Sequence, residues 1–267
     1  MARKSSSRRV ALPEAQNLSR NRSRRSTTRH GAPATGKGYW IYGQHAVEAA
    51  LLNPARVIYS LLATKEAADS LPETAHQPRI VSREELDALC GKDAVHQGVC
   101  LNVEPLENPA IVDVIDRPGP ILVLDQVTDP RNIGAILRSA AAFGAAALLV
   151  QDRHTPDETG TMAKAASGGL DVVPIIRETN ISRALQGLQK AGFWVVGLDA
   201  GGTRLDRNQL GDRRVALVLG AEGAGLRRLT RETCDEIASI HMSGPMESLN
   251  VSNASAVALY ELTRPLD

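Results

Sequence analysis

The sequence lacks the patterns typical of a membrane protein, a disulfide-stabilised secreted domain or a metal enzyme. It has no run of about 18 consecutive apolar residues, the length that a membrane-spanning helix needs. Its three cysteines, Cys90, Cys100 and Cys234, are odd in number, far apart and without a CxxC pair, which favours reduced thiols in the cytoplasm. Its six histidines form no HExxH or similar group. We therefore expect a cytoplasmic protein with no metal and no membrane partner.

Acidic residues are nearly missing from the first part of the chain. Residues 1–37 contain ten lysines and arginines and a single acid, Glu14, whereas the other 230 residues contain 21 bases and 29 acids. A segment so rich in Arg and Ser cannot bury enough apolar surface to fold alone, so we predict a disordered basic tail. Three roles stay open: an arm that binds phosphates non-specifically, a solubilising extension and an organellar transit peptide.

From residue 38 the composition becomes that of a folded α/β domain. Apolar patterns, a glycine turn, and Ser82 with Glu85 as a capping box mark its elements. The predicted elements are a strand and helix ending before Pro54, a strand over 57–63, a helix over 82–90 and a strand over 98–104. The sequence thus predicts a small domain over residues 38–104. The next residues, 105–118, lie in a proline-rich stretch, PLENPAIVDVIDRPGP, and we predict a linker there.

The remainder, residues 119–267, alternates continuous apolar runs with helical stretches. The runs are ILVLD (121–125), AALLV (146–150), VVPII (172–176), FWVVGL (193–198), VALVLG (215–220) and IASIHM (237–242). Continuous apolar strands are buried on both faces, which predicts a parallel sheet with helices on both sides. Ligands bind at the carboxyl ends of such strands, so the loops after them are the places to search for chemistry.

The first of these loops follows the run at 121–125 and leads into a helix. Asp129 and Pro130 suit a helix start, and Gly144 suits its end. Arg131 and Arg138 fall on one face of this helix, away from an apolar stripe. Two guanidinium groups beside a strand end favour either a phosphate clamp or an ordinary solvated face, and this segment alone does not decide between them.

A glycine-rich loop, LVLGAEGAGLRR, follows the fifth run. Gly220, Gly223 and Gly225 leave backbone amides bare, which suits the close approach of a ligand. The spacing is not GxGxxG and the loop does not follow the first strand, so a dinucleotide site is not predicted. Glu222 would repel an anion. The loop therefore fits a neutral or cationic ligand, or it is a plain turn with an exposed carboxylate.

Four small polar residues crowd into six positions near the end of the chain: Ser248, Asn250, Ser252 and Asn253. Ser248 or Asn250 can cap a helix that begins near Val251. Capping needs only one such residue, so we expect its neighbours to orient a bound molecule. Alanines along the helix allow another helix to approach closely, so we expect packing there, either within the chain or across a dimer.

Taken together, three segments resemble the ordered motifs of the SpoU (TrmH-like) branch of the SPOUT RNA methyltransferases. They are DPRNIGAILRSAAAFG, LVLGAEGAGLRRL and IHMSGPMESLNVSNASAVALYE, and the resemblance spans about residues 121–262. Two earlier segments, YGQHAVEAALLNPARV and HQGVCLNVEPL, are similar to the small substrate-binding domain of the bacterial ribosomal RNA guanosine 2′-O-methyltransferases of that family. Three motifs in the right order and at the right spacing are highly specific.

The resemblance implies more than the residues alone indicate. It implies an L30e-like substrate-binding domain, a catalytic domain with a C-terminal trefoil knot, S-adenosylmethionine as cofactor and a homodimer. The matching cofactor positions are Gly220, Ile240 and Leu249. The matching polar active-site positions are Asn132, Arg138, Glu222, Ser248 and Asn250. The implied reaction is methylation of a ribose 2′-hydroxyl in RNA, with a guanosine of 23S ribosomal RNA as the favoured target and transfer RNA still open.

Two positions depart from the family pattern. His241 stands where the family usually has Pro, and Asn253 where it usually has an apolar residue, which affects the floor of the cofactor loop and the interface helix. Arg138 is almost always protonated, so we expect it to hold a phosphate and stabilise an alkoxide rather than act as a base. The competing functional class is a non-catalytic RNA-binding or ribosome-assembly factor. A nucleotide-dependent oxidoreductase is not favoured, because the sequence lacks the glycine fingerprint of that class.

Overall fold

In a computed structural model of the chain, residues 38–246 and 248–266 are described. Two sheets organise them, one of four strands in the first part and one of six strands in the rest. The basic tail predicted over residues 1–37 lies outside the described residues.

The first sheet has the strand order β1-β4-β2-β3, with β4 antiparallel to β1 and β2. Its elements are β1 (Tyr39–Tyr42), α1 (Gln44–Leu52), β2 (Ile58–Ala63), α2 (Lys65–Ala68), β3 (Arg79–Ile80), α3 (Arg83–Cys90) and β4 (Val99–Val103). The capping box at α3 is confirmed: the Ser82 hydroxyl accepts from the Glu85 N–H at 3.3 Å, and the Glu85 carboxylate accepts from the Ser82 N–H at 3.4 Å. The sequence did not predict α2 and β3, because four and two residues are too short to produce a periodic pattern.

The second sheet has the order β10-β8-β9-β5-β6-β7, and every adjacent pair is parallel, as predicted. Its elements are α4 (Ile111–Val114), β5 (Ile121–Asp125), α5 (Pro130–Ala142), β6 (Ala147–Gln151), α6 (Gly160–Ala166), β7 (Ile175–Glu178), α7 (Ile181–Lys190), β8 (Phe193–Arg204), α8 (Arg207–Leu210), β9 (Arg214–Gly220), α9 (Arg228–Thr233), β10 (Glu236–Ser239) and α10 (Val251–Thr263). The short helix α4 lies inside the proline-rich stretch predicted as a linker.

Three predicted strands have different bounds in the structure. The strand predicted at 172–176 begins later in the structure. A 3₁₀ helix over Gly169–Asp171 and a turn precede it, and β7 begins only after Pro174. Strand β8 continues to Arg204, since Gly202 lets its backbone pass the carbonyl of Ile237, which a Cβ would meet at 2.5 Å. Strand β10 ends at Ser239, so the remainder of the run at 237–242 is not a strand.

Helix α5 is held between two neighbours. Its apolar stripe, which includes Ile133, Ile136 and Leu137, is fully buried, as the spacing predicted. A Cβ on Gly134 would lie 2.4 Å from the carbonyl oxygen of Met162, so the backbones of α5 and α6 can pack together only because this residue is glycine. Helix α10 packs against α5 as well. Helix α5, which carries the first of the three family motifs, is therefore fixed within the core.

A buried ionic network joins the two sheets. The guanidinium of Arg56, whose side chain is fully buried, lies 2.9 Å from Asp171 through Nε and 2.8 Å from Glu158 through a terminal nitrogen. That same terminal nitrogen donates to the backbone carbonyl of Glu104 at 3.0 Å. The Tyr39 hydroxyl donates to Glu158 at 2.5 Å, and burial together with the Glu158 charge raises the pKa of Tyr39. The network fixes the orientation of the first sheet relative to the second.

Replacing Arg56 tests this network. We expect Arg56→Met to lower the free energy of unfolding by roughly 3 to 5 kcal/mol, because two buried carboxylates lose their cation. Chemical denaturation of the purified variants measures the change. The matched control is Arg79→Met, since Arg79 is exposed and pairs with Glu85 only at 3.7 Å; its cost is expected to stay below about 1 kcal/mol. Equal costs for the two variants would contradict the role of the network.

Candidate active site

A cavity of about 580 Å³ opens at the carboxyl end of β9, beside the middle of β8. Its walls are residues 198–200 of β8, the glycine loop after β9, the end of β10 and the segment that leads into α10. Six of the residues singled out by the sequence line it: Gly220, Glu222, Ile240, Ser248, Leu249 and Asn250. The volume falls within the range of small-molecule sites, which is roughly 300 to 1,000 Å³. The predicted cofactor positions thus share one cavity.

The glycine loop forms the tight wall of this cavity. A Cβ on Gly220 would lie 2.2 Å from the carbonyl carbon of Gly225, so any larger residue there would prevent the loop from folding back on the end of β9. Gly223 and Gly225 both have left-handed backbones, with φ of 77° and 65°. Glycine adopts this conformation without steric cost. These three glycines therefore bring bare backbone to the edge of the cavity.

Side chains from three distant segments meet beside the cavity. The side-chain amide of Asn132 donates to Glu222 Oε1 at 2.9 Å, and that of Asn250 donates to the same oxygen at 2.6 Å. The two amides also contact each other, with Asn250 Nδ2 donating to Asn132 Oδ1 at 3.2 Å. One carboxylate oxygen thus orients two amides. The sequence of the glycine loop alone did not predict that Glu222 would accept hydrogen bonds from Asn132 and Asn250.

Asn250 also caps α10. Its Oδ1 accepts from the Ser252 N–H at 2.9 Å and from the Ser252 hydroxyl at 2.5 Å. With the oxygen committed to the helix, the amide nitrogen faces Glu222. Of the two predicted capping residues, Asn250 is therefore the cap, while Ser248 lines the cavity. Asn250 therefore caps the helix and also belongs to the cluster of side chains beside the cavity.

Arg138 lies apart from this cluster. It stands six residues after Asn132, a rise of about 9 Å along the helix. Arg131 and Arg138 are both exposed, as their spacing predicted. In the part of the chain that the structure describes, the Arg138 guanidinium makes no hydrogen bond or ion pair, and it does not line the cavity. Its five donors are open to a ligand that approaches from solvent.

Sequence reasoning missed a buried ion pair that holds the glycine loop. Asp125, the last residue of β5, is fully buried and accepts from the Arg227 N–H at 3.1 Å and from the Arg227 guanidinium at 2.6 Å. Asp125 also lies opposite Gly220 in the sheet register. It therefore ties together both ends of the loop. An acidic residue that ends a fully apolar strand was the available signal.

No cysteine or histidine of the described residues is among those that line the cavity. Burial raises the pKa of Cys234 to about 12, so this thiol is protonated at neutral pH. The hydrogen bond to Cys90 and burial raise the pKa of Cys100. No group of three potential metal ligands occurs within residues 38–246 and 248–266. Over the same residues, none of the helices combines the length and apolarity required to cross a bilayer.

Comparison with known protein families shows to which family the chain belongs. The model of the SpoU rRNA Methylase family matches residues 119–260, which include every residue of the cluster. The chain belongs to the SpoU family. A second model, described as RNA 2′-O ribose methyltransferase substrate binding, matches residues 40–109, the region of the first sheet. The resemblance seen in the sequence motifs is thereby confirmed.

Individual SpoU relatives agree with the family models. Proteins named 23S rRNA (guanosine-2′-O-)-methyltransferase RlmB from Coxiella burnetii and Escherichia coli are 40% and 39% identical over 240 residues, covering 84% of this chain and 94% and 97% of theirs. The crystal structure of the SpoU methyltransferase AviRb from Streptomyces viridochromogenes, in complex with the cofactor AdoMet, aligns with a TM-score of 0.69 and 27% identity over 84% of this chain and 88% of that one. The α/β fold with an N-terminal substrate-binding domain is therefore confirmed.

Removing the charge of Asp125 tests the clamp on the glycine loop. We expect Asp125→Asn to lower the free energy of unfolding by roughly 1.5 to 3 kcal/mol, because hydrogen bonds to a buried charge are lost. Hydrogen exchange of the amides over 220–227 is expected to accelerate. The control is Glu232→Gln, because Glu232 forms an exposed pair with Arg228 in the same segment and is expected to contribute below about 1 kcal/mol. Unchanged exchange in Asp125→Asn would show that the loop holds its shape without the clamp.

Proposed function

We propose that this SpoU protein transfers a methyl group from S-adenosylmethionine to the ribose 2′-hydroxyl of a guanosine in 23S ribosomal RNA. The observation that carries the proposal is the convergence of Asn132, Glu222 and Asn250 beside a glycine-walled cavity. The relatives named as 23S rRNA guanosine 2′-O-methyltransferases, alike over nearly their whole length, support the same substrate. Work on ribosomal RNA also fits the cytoplasm as the place of action.

The cavity suits the proposed cofactor in size, shape and charge. A side chain on Gly220 would clash with the backbone of Gly225, and the cavity volume accommodates a nucleoside-sized ligand. Among the described residues, the Glu222 carboxylate has two neutral amides and no cation as its partners, which favours a cationic ligand over a phosphate. The other carboxylate of the lining, Asp199, pairs with Arg231. Backbone groups of Gly220, Ile240 and Leu249 are the proposed contacts. When bound, S-adenosylmethionine supplies an electrophilic methyl group carried on a positively charged sulfur.

The side chains of the protein then have to position the RNA. Glu222 fixes the two amides of Asn132 and Asn250, which present polar groups at the mouth of the cavity. Ser248 lines the same cavity and has a hydroxyl that can bond to a ribose. Arg138 lies on the same helix as Asn132, and its guanidinium bonds to no other described residue, so it is suited to hold a phosphate and to stabilise negative charge on the ribose 2′-oxygen. Alignment and charge stabilisation are the main contributions of the chain.

We include two further features in the proposal: a homodimer and the trefoil knot that the family resemblance implies. Exposed apolar side chains on α10 and just before it support a partner surface there: Met246 is 69% exposed, Tyr260 61% and Val257 44%. Such a concentration of exposed apolar side chains is typical of an interaction site. The passage of the C-terminal segment beside the glycine loop, where Asn250 reaches Glu222, is the contact that a knot would create.

Transfer of labelled methyl groups tests the proposed reaction. The purified full chain is incubated with labelled S-adenosylmethionine and either an unmodified 23S rRNA transcript or unmodified transfer RNA. We expect incorporation into the 23S transcript, at about one methyl group per molecule and on a guanosine ribose. Incorporation only into transfer RNA would overturn the substrate. Cofactor binding without transfer to any RNA would favour the non-catalytic class.

The Arg138→Lys variant tests the role of the guanidinium. We expect a fall in kcat of roughly 10² or more, because a lysine cannot form the planar two-point contact with a phosphate and an oxyanion. Affinity for S-adenosylmethionine, measured by calorimetry, is expected to stay unchanged, since Arg138 does not line the cavity. Arg183→Lys on the remote helix α7 serves as the control. Near-full activity of Arg138→Lys at neutral pH would rule out a need for the planar fork.

A further inference from the structure

We propose that the first sheet carries a pocket for an unpaired nucleobase of the substrate RNA, formed around Gln97, and that Lys164 of the second sheet's helix layer holds the phosphate beside that base. The inference rests on the proposed function, because it names how the same RNA is bound. It concerns a place distinct from the cavity beside Glu222. Its elements are a small polar cavity, a strained turn and a cation that bridges the two sheets.

The pocket is a cavity of about 200 Å³ between the starts of α1, α2 and α3. Its apolar lining residues are Ala67, Leu71 and Val99. Its polar side chains are Gln44, Thr64, Glu66, Ser70, Arg83 and Gln97. Proteins bind unpaired RNA bases by packing base faces on side chains, guanidinium planes among them, and by hydrogen bonds to base edges, so a lining of both kinds fits a base.

Gln97 occupies a backbone conformation that is costly for a residue with a side chain. Its φ is +56°, in the left-handed region, which a residue with a side chain adopts only at a cost in free energy. The turn is held on both sides: His96 Nδ1 accepts from the Gly98 N–H at 3.0 Å, and His96 Nε2 lies 3.1 Å from Asp87. The Gln97 side chain is exposed, so its packing does not explain why glycine is not used there.

The pocket presents hydrogen-bond donors. Gln97 Oε1 accepts from Lys164 Nζ at 2.5 Å and from the Gln44 N–H at 3.3 Å, which leaves the amide nitrogen of Gln97 as the group free for a ligand. Neither that nitrogen nor the Arg83 guanidinium donates a hydrogen bond to any described residue. Together with the Glu66 carboxylate in the same lining, these donors match a base such as guanine, which offers O6 and N7 as acceptors and its N2 amino group as a donor. A base therefore fits this pocket better than a cation does.

Lys164 connects the pocket to the catalytic helix. Its ammonium group lies over Gly43, where a Cβ would come within 2.5 Å of Nζ, so glycine leaves the space that the lysine fills. Partial burial lowers the pKa of Lys164, as expected for an ammonium group with incomplete hydration. Lys164 belongs to α6, which packs against α5, the helix of Asn132 and Arg138. A phosphate between the bound base and the target ribose would pass this cation.

The network around Arg56 gives the pocket a fixed distance from the catalytic cluster. Since Arg56, Glu158 and Asp171 hold the two sheets in one orientation, a base bound beside Gln97 restrains which ribose can reach Asn132 and Asn250. The pocket would thus contribute to the choice of nucleotide and not only to affinity for RNA.

Gln97→Gly separates a binding role from a structural one. Glycine relieves the positive φ, so we expect the melting temperature to stay equal or to rise. We expect KM for the 23S rRNA transcript to rise roughly fivefold to twentyfold through the lost hydrogen bond, with kcat and affinity for S-adenosylmethionine unchanged. A raised melting temperature with an unchanged KM would mean that Gln97 has no part in RNA binding, and would overturn the inference.

Arg83→Ala and its matched control Arg79→Ala test the role of the Arg83 guanidinium, the second donor of the pocket. Both remove an exposed arginine from the first sheet's domain, but only Arg83 lines the pocket. We expect a raised KM for RNA with Arg83→Ala alone. Photo-crosslinking with a transcript that contains 6-thioguanosine or 4-thiouridine is expected to label a peptide with Gln97 or Arg83. Equal KM values for the two variants, or crosslinks confined to other peptides, would count against the pocket.

The outcome for the wild-type chain separates this inference from the proposed function. If the wild-type chain methylates the transcript and both pocket variants behave like it, the pocket is wrong and the function stands. If the wild-type chain methylates no RNA, the proposed function fails, and the pocket fails with it.

Discussion

One carboxylate oxygen organises the catalytic end of this protein. Glu222 Oε1 accepts from the amides of Asn132 and Asn250, which lie 90 positions before and 28 positions after it in the sequence. Without that acceptor, the Asn132 amide would have only the Asn250 amide as a partner among the described residues. The helix cap at Asn250 constrains the same amide from its oxygen side. The geometry of the site therefore depends on a fold that brings three chain segments to one atom.

The loops that meet there are held from beneath by the sheet. Asp125 closes β5 with a buried charge that pairs with Arg227, and the loop it holds carries Glu222. The residue after it, Gln126, has a left-handed backbone with φ of +66°, which turns the chain toward α5 and Asn132. The same strand end thus supports both partners of the central hydrogen bond. A buried ion pair is costly when it is broken, which makes this arrangement well suited to rigid positioning.

Local signals predicted the parts of the structure that depend on local physics. Helix α5 starts at Pro130 behind Asp129 because capping is a short-range effect, and continuous apolar runs located three of the six parallel strands, β5, β6 and β9, to within one residue. The run at 172–176 failed because apolar content does not show that Val172 is 57% exposed in a turn. The bond from Asn132 to Glu222 and the pairing of Arg56 with Asp171 span 90 and 115 positions. No local pattern encodes such contacts, so only the family resemblance pointed to the first, and nothing pointed to the second.

The two ionic networks hold different parts of the molecule in place. The pair of Asp125 and Arg227 fixes the shape of the cavity, whereas the network of Arg56 with Glu158 and Asp171 fixes where the first sheet stands. An enzyme that modifies one ribose in a long RNA has to recognise features away from that ribose, because the sugar is the same in every nucleotide. A mobile recognition domain would accept many spacings between the recognised feature and the target. A domain that buried charges hold in one orientation accepts few such spacings. Burying Arg56 costs free energy, and a fixed spacing is what this cost supports.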